Sequence, residues 1–542
     1  MADMLNPEQR TVYDAIVHSI LNQEGKSFFI DGPGGSGKSF LYKCIMLRLS
    51  SLSRTFSACA STGIAATVIG ACTAYKLLGC PTELEFDSVS MLHMDTKAAA
   101  HLRQTSCIIW DEAPASHRFV LELCNRLLQD VCMNTLTFGG KTMVLGGDWR
   151  QTLPVVTRGT NAQQVAACLR MSNLWPLFEA NTYVLSGNMR ASNPVFAEWL
   201  LDIGNGISGS IINFAENNIR VVASTRALIQ ATFGLVLNDS TLPALARTAI
   251  LSPTNKNTFL FNEEVLSLID SPSVFQFSVD YPIVERERNP MVIPEEFLHT
   301  LTPAGMPPHR LHLKKGAIYM LLRNMNVADG LCNGTRFFLE GFTPNALYCL
   351  MIQHDKTLPP KRFRLPRITS IPEKRYPFPF KRRQFPVRPA FAMTVNKGQG
   401  CTLDAAGLDV SVPVFGHGQL YVAFSRVSDF DKITILIPNG EPTSRNIVFQ
   451  EVFDKEYIDT QIRIRSERPP CSERFQSNYS RMPDDHLNPF MDEDTEALID
   501  QMDHLDEYNP NDGVHDPTTD LPYTRDELVF EEDWVPDDSW QE

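Results

Sequence analysis

Nowhere in this sequence do two of the twelve cysteines stand in C-x-x-C spacing, which argues against a zinc ribbon or a thioredoxin-type redox pair and suits reduced intracellular thiols. Long apolar runs are missing too. The uncharged stretch 56–75 is rich in Ser, Thr, Gly and Ala and broken by Gly63 and Gly70, so it reads as strand plus loop, and no membrane partner is expected. The N-terminus lacks both a basic start with an apolar core and an Arg-rich amphipathic pattern; secretion is not expected, and a mitochondrial location is open but unsupported. Basic residues nearly vanish from 482–542, where Arg525 stands against 21 Asp and Glu. That local charge of −20 leaves residues 1–481 at +6, although the whole chain carries −14. A mildly basic body suggests a polyanionic partner, and the tail, 466–542, reads as disordered and acidic.

What is present centres on residues 28–39. Phe28, Phe29 and Ile30 read as a buried strand, and GPGGSGKS (32–39) fits G-x-x-x-x-G-K-[ST] before a helix opening at Phe40. Gly32, Pro33, Gly34, Gly35, Ser36 and Gly37 would turn backbone N–H groups toward a triphosphate, Lys38 would reach its outer phosphates, and Ser39 would hold Mg²⁺. ATP and Mg²⁺ are the expected cofactors. Gln9, one helix upstream, is either an ordinary surface residue or a reader of the adenine edge.

Further strands end in polar residues at the edge where ligands of parallel sheets bind. Residues 55–60 run into Ser61, Thr62 and Gly63; 107–112 end in Asp111, placed for Mg²⁺, and Glu112, placed to polarise water; 142–148 lead to Gln151, a γ-phosphate sensor. Asn188-Met189-Arg190 follows a fifth strand at 182–185. This alternation predicts a doubly wound α/β core over 1–190, with a wedge-like insertion at about 76–103. A second core is expected at 191–275 and 387–465, with glycine-broken β segments inserted at 276–386. Residues 361–388 carry ten Lys and Arg against Glu373, interleaved with Phe363, Tyr376, Phe378, Phe380 and Phe385. That pattern suits single-stranded nucleic acid, with Lys381, Arg382 and Arg383 as contacts; a nuclear targeting patch, or a connector whose aromatics pack inward, reads the same way. Arg426 closes a short apolar helix, and an arginine lent by one core to the γ-phosphate of the other would tie hydrolysis to cleft closure.

In order, GPGGSGKS, CASTGIAA (59–66), WDEAP (110–114), GGDWRQTLPV (146–155), NMR (188–190), LSPTN (251–255), LLRNMN (321–326), GLCNGTR (330–336), FAMTVNKGQG (391–400) and HGQLYVAFSRV (417–427) resemble the Pif (petite integration frequency) family of superfamily-one DNA helicases, in particular the Helitron-associated type. The resemblance covers roughly 5–464. It implies two RecA-like P-loop NTPase cores, a small SH3-like β-barrel inserted in the second, and ATP-driven 5′-to-3′ movement on single-stranded DNA with unwinding of forked or tailed duplexes. By it Gln9 reads adenine, Lys38, Ser39, Asp111 and Glu112 carry the nucleotide chemistry, Gln151 senses it, and Arg190 and Arg426 are finger candidates. Thr62, Gly63, Thr73, Asn396, Lys397 and Gln399 are DNA-contact candidates. It also implies a free-standing module acting as a monomer on DNA, in the nucleus, in repair, recombination, telomere maintenance or transposition. The competing expectation is a non-catalytic, DNA-binding remnant of a transposon helicase. Tyr75, Trp149 and Gly398 stand where the family often has His, Phe and Ser, and the lost hydroxyl at 398 is expected to weaken DNA coupling.

Overall fold

The computed structural model describes residues 2–467, except 284–293, 354–358, 373–379 and positions 82, 157–158, 188, 192, 218, 236, 239–240, 304 and 439–440. Apart from residues 466 and 467, which end a helix, the acidic tail therefore lies outside the described residues, as do Tyr376 and Phe378. The first sheet has six parallel strands: β1 (Ser27–Asp31), β2 (Phe56–Ala60), β3 (Cys72–Thr73), β4 (Cys107–Asp111), β5 (Thr142–Gly147) and β6 (Thr182–Val184), in the order β3-β2-β4-β5-β1-β6. Buried on both faces, β1, β4 and β5 can be apolar throughout, which is why they read as continuous runs in the sequence. Asp31 at the end of β1 lies opposite Gly147 at the end of β5, and Asp111 lies opposite Ala60 of β2. Every motif that follows these strands thus emerges on one edge.

Trp149 explains its own departure from phenylalanine. Its ring packs edge-on against Trp175 and tilted against Phe29, both with centroids 5.2 Å away, while the Arg170 guanidinium lies over it at 4.5 Å. Fully burying such a ring stabilises by about 1.5–3 kcal/mol, and here it wedges the strand under the phosphate loop.

The second sheet, also parallel, runs Ala392–Thr394, Thr248–Ser252, Ala405–Asp409, Ile433–Leu436, Arg220–Val222. Between its second and first strands in that order lie three antiparallel sheets. The largest has five strands, Arg362–Pro366, Ala346–Met351, Arg336–Phe342, Ile318–Leu321 and Val387–Pro389; among the described residues no pairing of its end strands closes it into a barrel. Gly316, Gly330 and Gly334, at φ +81°, +80° and +94°, make the turns that broke the β pattern in the sequence. Arg336 ties the insertion to the core by donating to the carbonyls of Ala246, Thr248 and Ala390. One boundary differs from expectation: Phe449, Val452 and Ile458 pack into the first core, so the chain returns there before 465. Apolar spacing alone does not say which of two cores a helix joins.

Candidate functional site

Helix α1 (Pro7–Leu21) is started by a reciprocal cap in which Asn6 Oδ1 accepts the Gln9 N–H and Gln9 Oε1 accepts the Asn6 N–H. The cap turns Gln9 inward, where it is buried and its Nε2 donates to Ser36 O at 3.2 Å. The surface reading of Gln9 therefore fails, and its amide stands against the phosphate loop. That loop needs its glycines: Gly35 and Gly37 have φ of +93° and +83°, and a Cβ on Gly37 would lie 2.4 Å from Gln9 Nε2. Gly37 then caps helix α2 (Lys38–Ser51), aiming its first N–H groups into the loop. Lys38 Nζ folds back onto the carbonyls of Gly32 (2.5 Å) and Pro33 (3.3 Å), acceptors of the kind that phosphate oxygens replace. Ser39 follows in the first helical turn, half-buried.

Asp111 and Glu112 sit across from this lysine. Glu112 holds a left-handed backbone, φ +51°, strain of the kind stored at functional sites. Burial, then the neighbouring Glu112, pushes the Asp111 carboxyl well above the usual range, with Lys38 opposing. Burial likewise raises Glu112, and Lys38, Arg426 and Arg190 pull it back. Two carboxyls held upward by burial are stabilised as anions by a divalent cation, so Ser39 and Asp111 fit Mg²⁺ in charge and donor type.

The second core faces the loop across a cleft. Arg190 Nη1 lies 3.1 Å, and Arg426 Nη2 3.7 Å, from where a Cβ on Gly34 would stand. Arg426 is fully buried and donates to the carbonyls of Val422, Cys401 and Gly398 and to Ser425 Oγ, with no carboxylate among the described residues bound to it. Burial lowers its pKa, and burial together with Arg426 lowers that of Arg190 to about 10. Two guanidiniums so placed favour an anion over the loop. Gln151 is buried, and among the described residues its Oε1 has no hydrogen-bond partner, an acceptor open to a water or ligand hydrogen.

Hydrogen bonds join the cores at several points: Arg190 Nη1 donates to Ser425 O at 2.9 Å, Arg150 Nε to Asn205 Oδ1 at 3.0 Å, and three more involve residues 148, 149 and 152. Tyr421 Oη donates to Asp148 Oδ2 at 2.6 Å, Thr152 Oγ1 to Gln399 Oε1 at 2.9 Å, and His417 Nε2 to Trp149 O at 2.9 Å. Because His417 Nδ1 accepts the Phe449 N–H, the ring is fixed as the neutral Nε2–H tautomer, and burial holds its pKa down at about 4. Asp148, His417 and Tyr421 were not singled out from sequence, although all lie within quoted motifs. Gln399, expected on DNA, belongs to this bridge.

The other DNA candidates divide. Thr62 and Thr73 cap the helices α3 (Gly63–Ile69) and Ala74–Leu78, each accepting a backbone N–H. A Cβ on Gly63 would lie 3.0 Å from Asn324 Oδ1 and from Cys332 Cβ, and Lys397 Nζ donates to Asn333 Oδ1 at 2.7 Å. First core, insertion and second core therefore meet at the start of α3, with Asn396 exposed beside them. Asn324 and Asn333 at this junction are further residues that the sequence reading passed over. Lys381 is half-buried and Arg383 exposed, but Arg382 is a correction: fully buried, it grips both oxygens of Asp280 and the carbonyls of Leu298, Leu301 and Pro307. Strand alternation turns the middle of three consecutive cations into the core. Strand alternation likewise buries Phe363 and Phe380, and Phe385 is buried just past the end of its strand, so these aromatics pack inward. At Gly398 a Cβ would face Leu251 Cδ2 at 3.0 Å, in the second core. Asp280, His299 and His309 gather as metal ligands would, but Arg382 already supplies the cation there.

The family model of a PIF1-like helicase matches residues 4–211, and that of the 2B domain of DNA helicase Pif1 matches 296–342. An ATP-dependent DNA helicase Pif1 of Bdellovibrio bacteriovorus is 27% identical over 433 residues, 78% of this chain and 85% of the relative. The Homo sapiens ATP-dependent DNA helicase PIF1 is 27% identical over 441 residues, 80% of this chain but 60% of its own length. The chain likewise spans about two thirds or less of other curated relatives it matches. A Bacteroides Pif1 helicase crystallised with ADP-AlF3 and single-stranded DNA superposes with a TM-score of 0.60 at 20% identity, covering 86% of this chain and 98% of that one, which establishes a common fold.

Proposed function

Because the chain belongs to the PIF1-like helicase family, we propose that it is an ATP- and Mg²⁺-dependent 5′-to-3′ DNA helicase, working as a monomer on single-stranded and forked or tailed duplex DNA in the nucleus. One observation carries the reading: Arg190, from the end of the first core, and Arg426, from the second, meet at Gly34 of the phosphate loop. Lys38 and the loop N–H groups bind the phosphates, and Ser39 and Asp111 hold Mg²⁺, which when bound neutralises phosphate charge. Glu112 takes the proton of the attacking water, and Gln151 offers that water its unpaired Oε1. Arg190 and Arg426 stabilise the charge that develops in transfer, so turnover requires a closed cleft. Closure is conveyed through Asp148–Tyr421, Thr152–Gln399 and Trp149–His417, whose partners lie next to Gln151 on one side and on the Arg426 helix and the 391–400 loop on the other. The chain would thereby exchange grip on the strand, with Thr62, Gly63, Thr73, Asn396 and Lys397 on the path.

ATP hydrolysis measured with and without oligothymidine, followed by unwinding of duplexes with a 5′ or a 3′ tail, tests this. Strand-stimulated hydrolysis and unwinding from the 5′ tail alone are expected. Unstimulated or absent hydrolysis would favour the non-catalytic remnant, whose sequence support at Gly398 is weakened by that residue's position against Leu251.

A further inference from the structure

The inserted region carries a ribbon with two unlike faces. Ser278 and Asp280 are buried, while between and beyond them Phe277, Val279 and Tyr281 are 54%, 42% and 50% exposed. Strand register sets a cation opposite each: Arg310 faces Phe277, Arg383 faces Val279, and Lys381 faces Tyr281. Cross-strand partners share a face of the sheet, so three apolar–basic pairs stand in file on the outer side. Asp280 is the sole acid in segments 274–282, 309–313, 368–371 and 380–384, and it is spent inward on Arg382.

Exposed aromatic surface of this extent marks an interaction site, and its chemistry chooses the partner. We propose that this outer ribbon is a second binding surface for single-stranded nucleic acid, apart from the cleft path, on which bases stack against Phe277 and Tyr281 and phosphates pair with Arg310, Lys381 and Arg383. Successive pairs are two residues apart along an extended strand, about 6.7 Å. That step suits an unstacked backbone laid along the ribbon, one nucleotide to each pair. A duplex offers phosphates but hides the base faces, leaving the two rings without purpose; an acidic peptide does the same. Stacking and charge together fit a single strand. The ligand class rests on the helicase reading above; the surface itself does not.

The experiment uses the full chain and two double variants, Phe277→Ala with Tyr281→Ala, and Lys381→Gln with Arg383→Gln, all replacing exposed or half-exposed side chains. Fluorescence anisotropy compares labelled oligothymidines of about 8 nucleotides, enough for one path, and about 30, enough to reach a second. For the long strand the aromatic variant is expected to raise Kd at least about fivefold, since stacking is typically worth 1–3 kcal/mol per base. The charge variant should flatten the slope of log Kd against log salt by about 1.4, the share of two phosphate contacts. Short-strand affinity and saturated ATP turnover should stay at the wild-type value, and 5-bromouracil strands should cross-link within 274–282. Unchanged long-strand affinity and salt slope in both variants, with no such cross-link, would overturn the proposal and leave the ribbon to a protein partner. Failure of the helicase reading shows separately, as absent short-strand binding and absent strand-stimulated ATPase in the unaltered protein.

Discussion

Arg382 in the insertion and Arg426 in the cleft are both fully buried, yet they end in opposite chemistry. Arg382 meets Asp280 in a two-pronged ion pair and three carbonyls, so its charge is cancelled within the fold. Among the described residues Arg426 meets carbonyls and a hydroxyl only, beside a phosphate loop. A buried cation with its own anion belongs to stability; one without is held ready for an anion that arrives. The contrast belongs to this pair, since Arg336 of the insertion is also buried on carbonyls, those of Ala246, Thr248 and Ala390, and there serves to tie the insertion to the second core.

Replacing each arginine is the most direct way to break that contrast. Arg426→Ala is expected to lower strand-stimulated ATP turnover about 10³- to 10⁵-fold, the usual worth of a finger, while circular dichroism stays native. Glu112→Gln should follow at about 10²- to 10⁴-fold, with ATP still bound in an equilibrium dialysis assay, because the amide cannot accept the proton of water. Arg382→Met should leave turnover per folded molecule intact and cost about 3–5 kcal/mol in urea unfolding, since Asp280 would be left buried and unpaired. Adding Asp280→Leu should return much of that loss. If Arg382→Met instead impaired hydrolysis without lowering stability, the contrast would be false.

Sequence conveyed the cleft well and the insertion poorly, for a physical reason. Phosphates are held by backbone conformation and by residues a fixed number of positions after a strand, so GPGGSGKS and WDEAP announce both their structure and their contacts. In the insertion the deciding variable is which face of a strand a residue occupies. Lys381, Arg382 and Arg383 look alike in sequence, and only the pairing Asp280↔Arg382 separates the middle one. Contacts between cores were invisible for a related reason: Tyr421 and Asp148 are 273 positions apart, and nothing in either motif names the other.

Acid should loosen the cleft through His417. His417 uses both ring nitrogens while neutral, and its folded pKa of about 4 lies below the usual 6.5. For a depressed histidine the stabilisation is complete above pH 6.5 and is lost as pH falls toward 4, about 3 kcal/mol in all. Thermal melts between pH 7 and 4 should therefore show a steeper loss for the natural chain than for His417→Gln. Parallel slopes would remove His417 from the closure.

The smallest expected effect comes from Gly398→Ser, which restores the hydroxyl common in the resembled family. Gly398 does not occupy a left-handed backbone, so a side chain causes no conformational strain. Its Cβ would stand 3.0 Å from Leu251 Cδ2 and 4.0 Å from Met393 Sδ, and the leucine methyl has to yield by a few tenths of an ångström. Overpacking of this size costs about 1 kcal/mol, at the low end for an inserted core atom. The carbonyl of residue 398 also accepts from Arg426 Nη1 at 3.4 Å, so a slight shift of the loop is passed to Arg426. The serine variant is thus expected to melt a few degrees lower and to change kcat for ATP less than about threefold, with oligothymidine affinity unaltered. A gain in strand affinity with no change in kcat would put residue 398 on the DNA path and move the boundary between the two regions compared here.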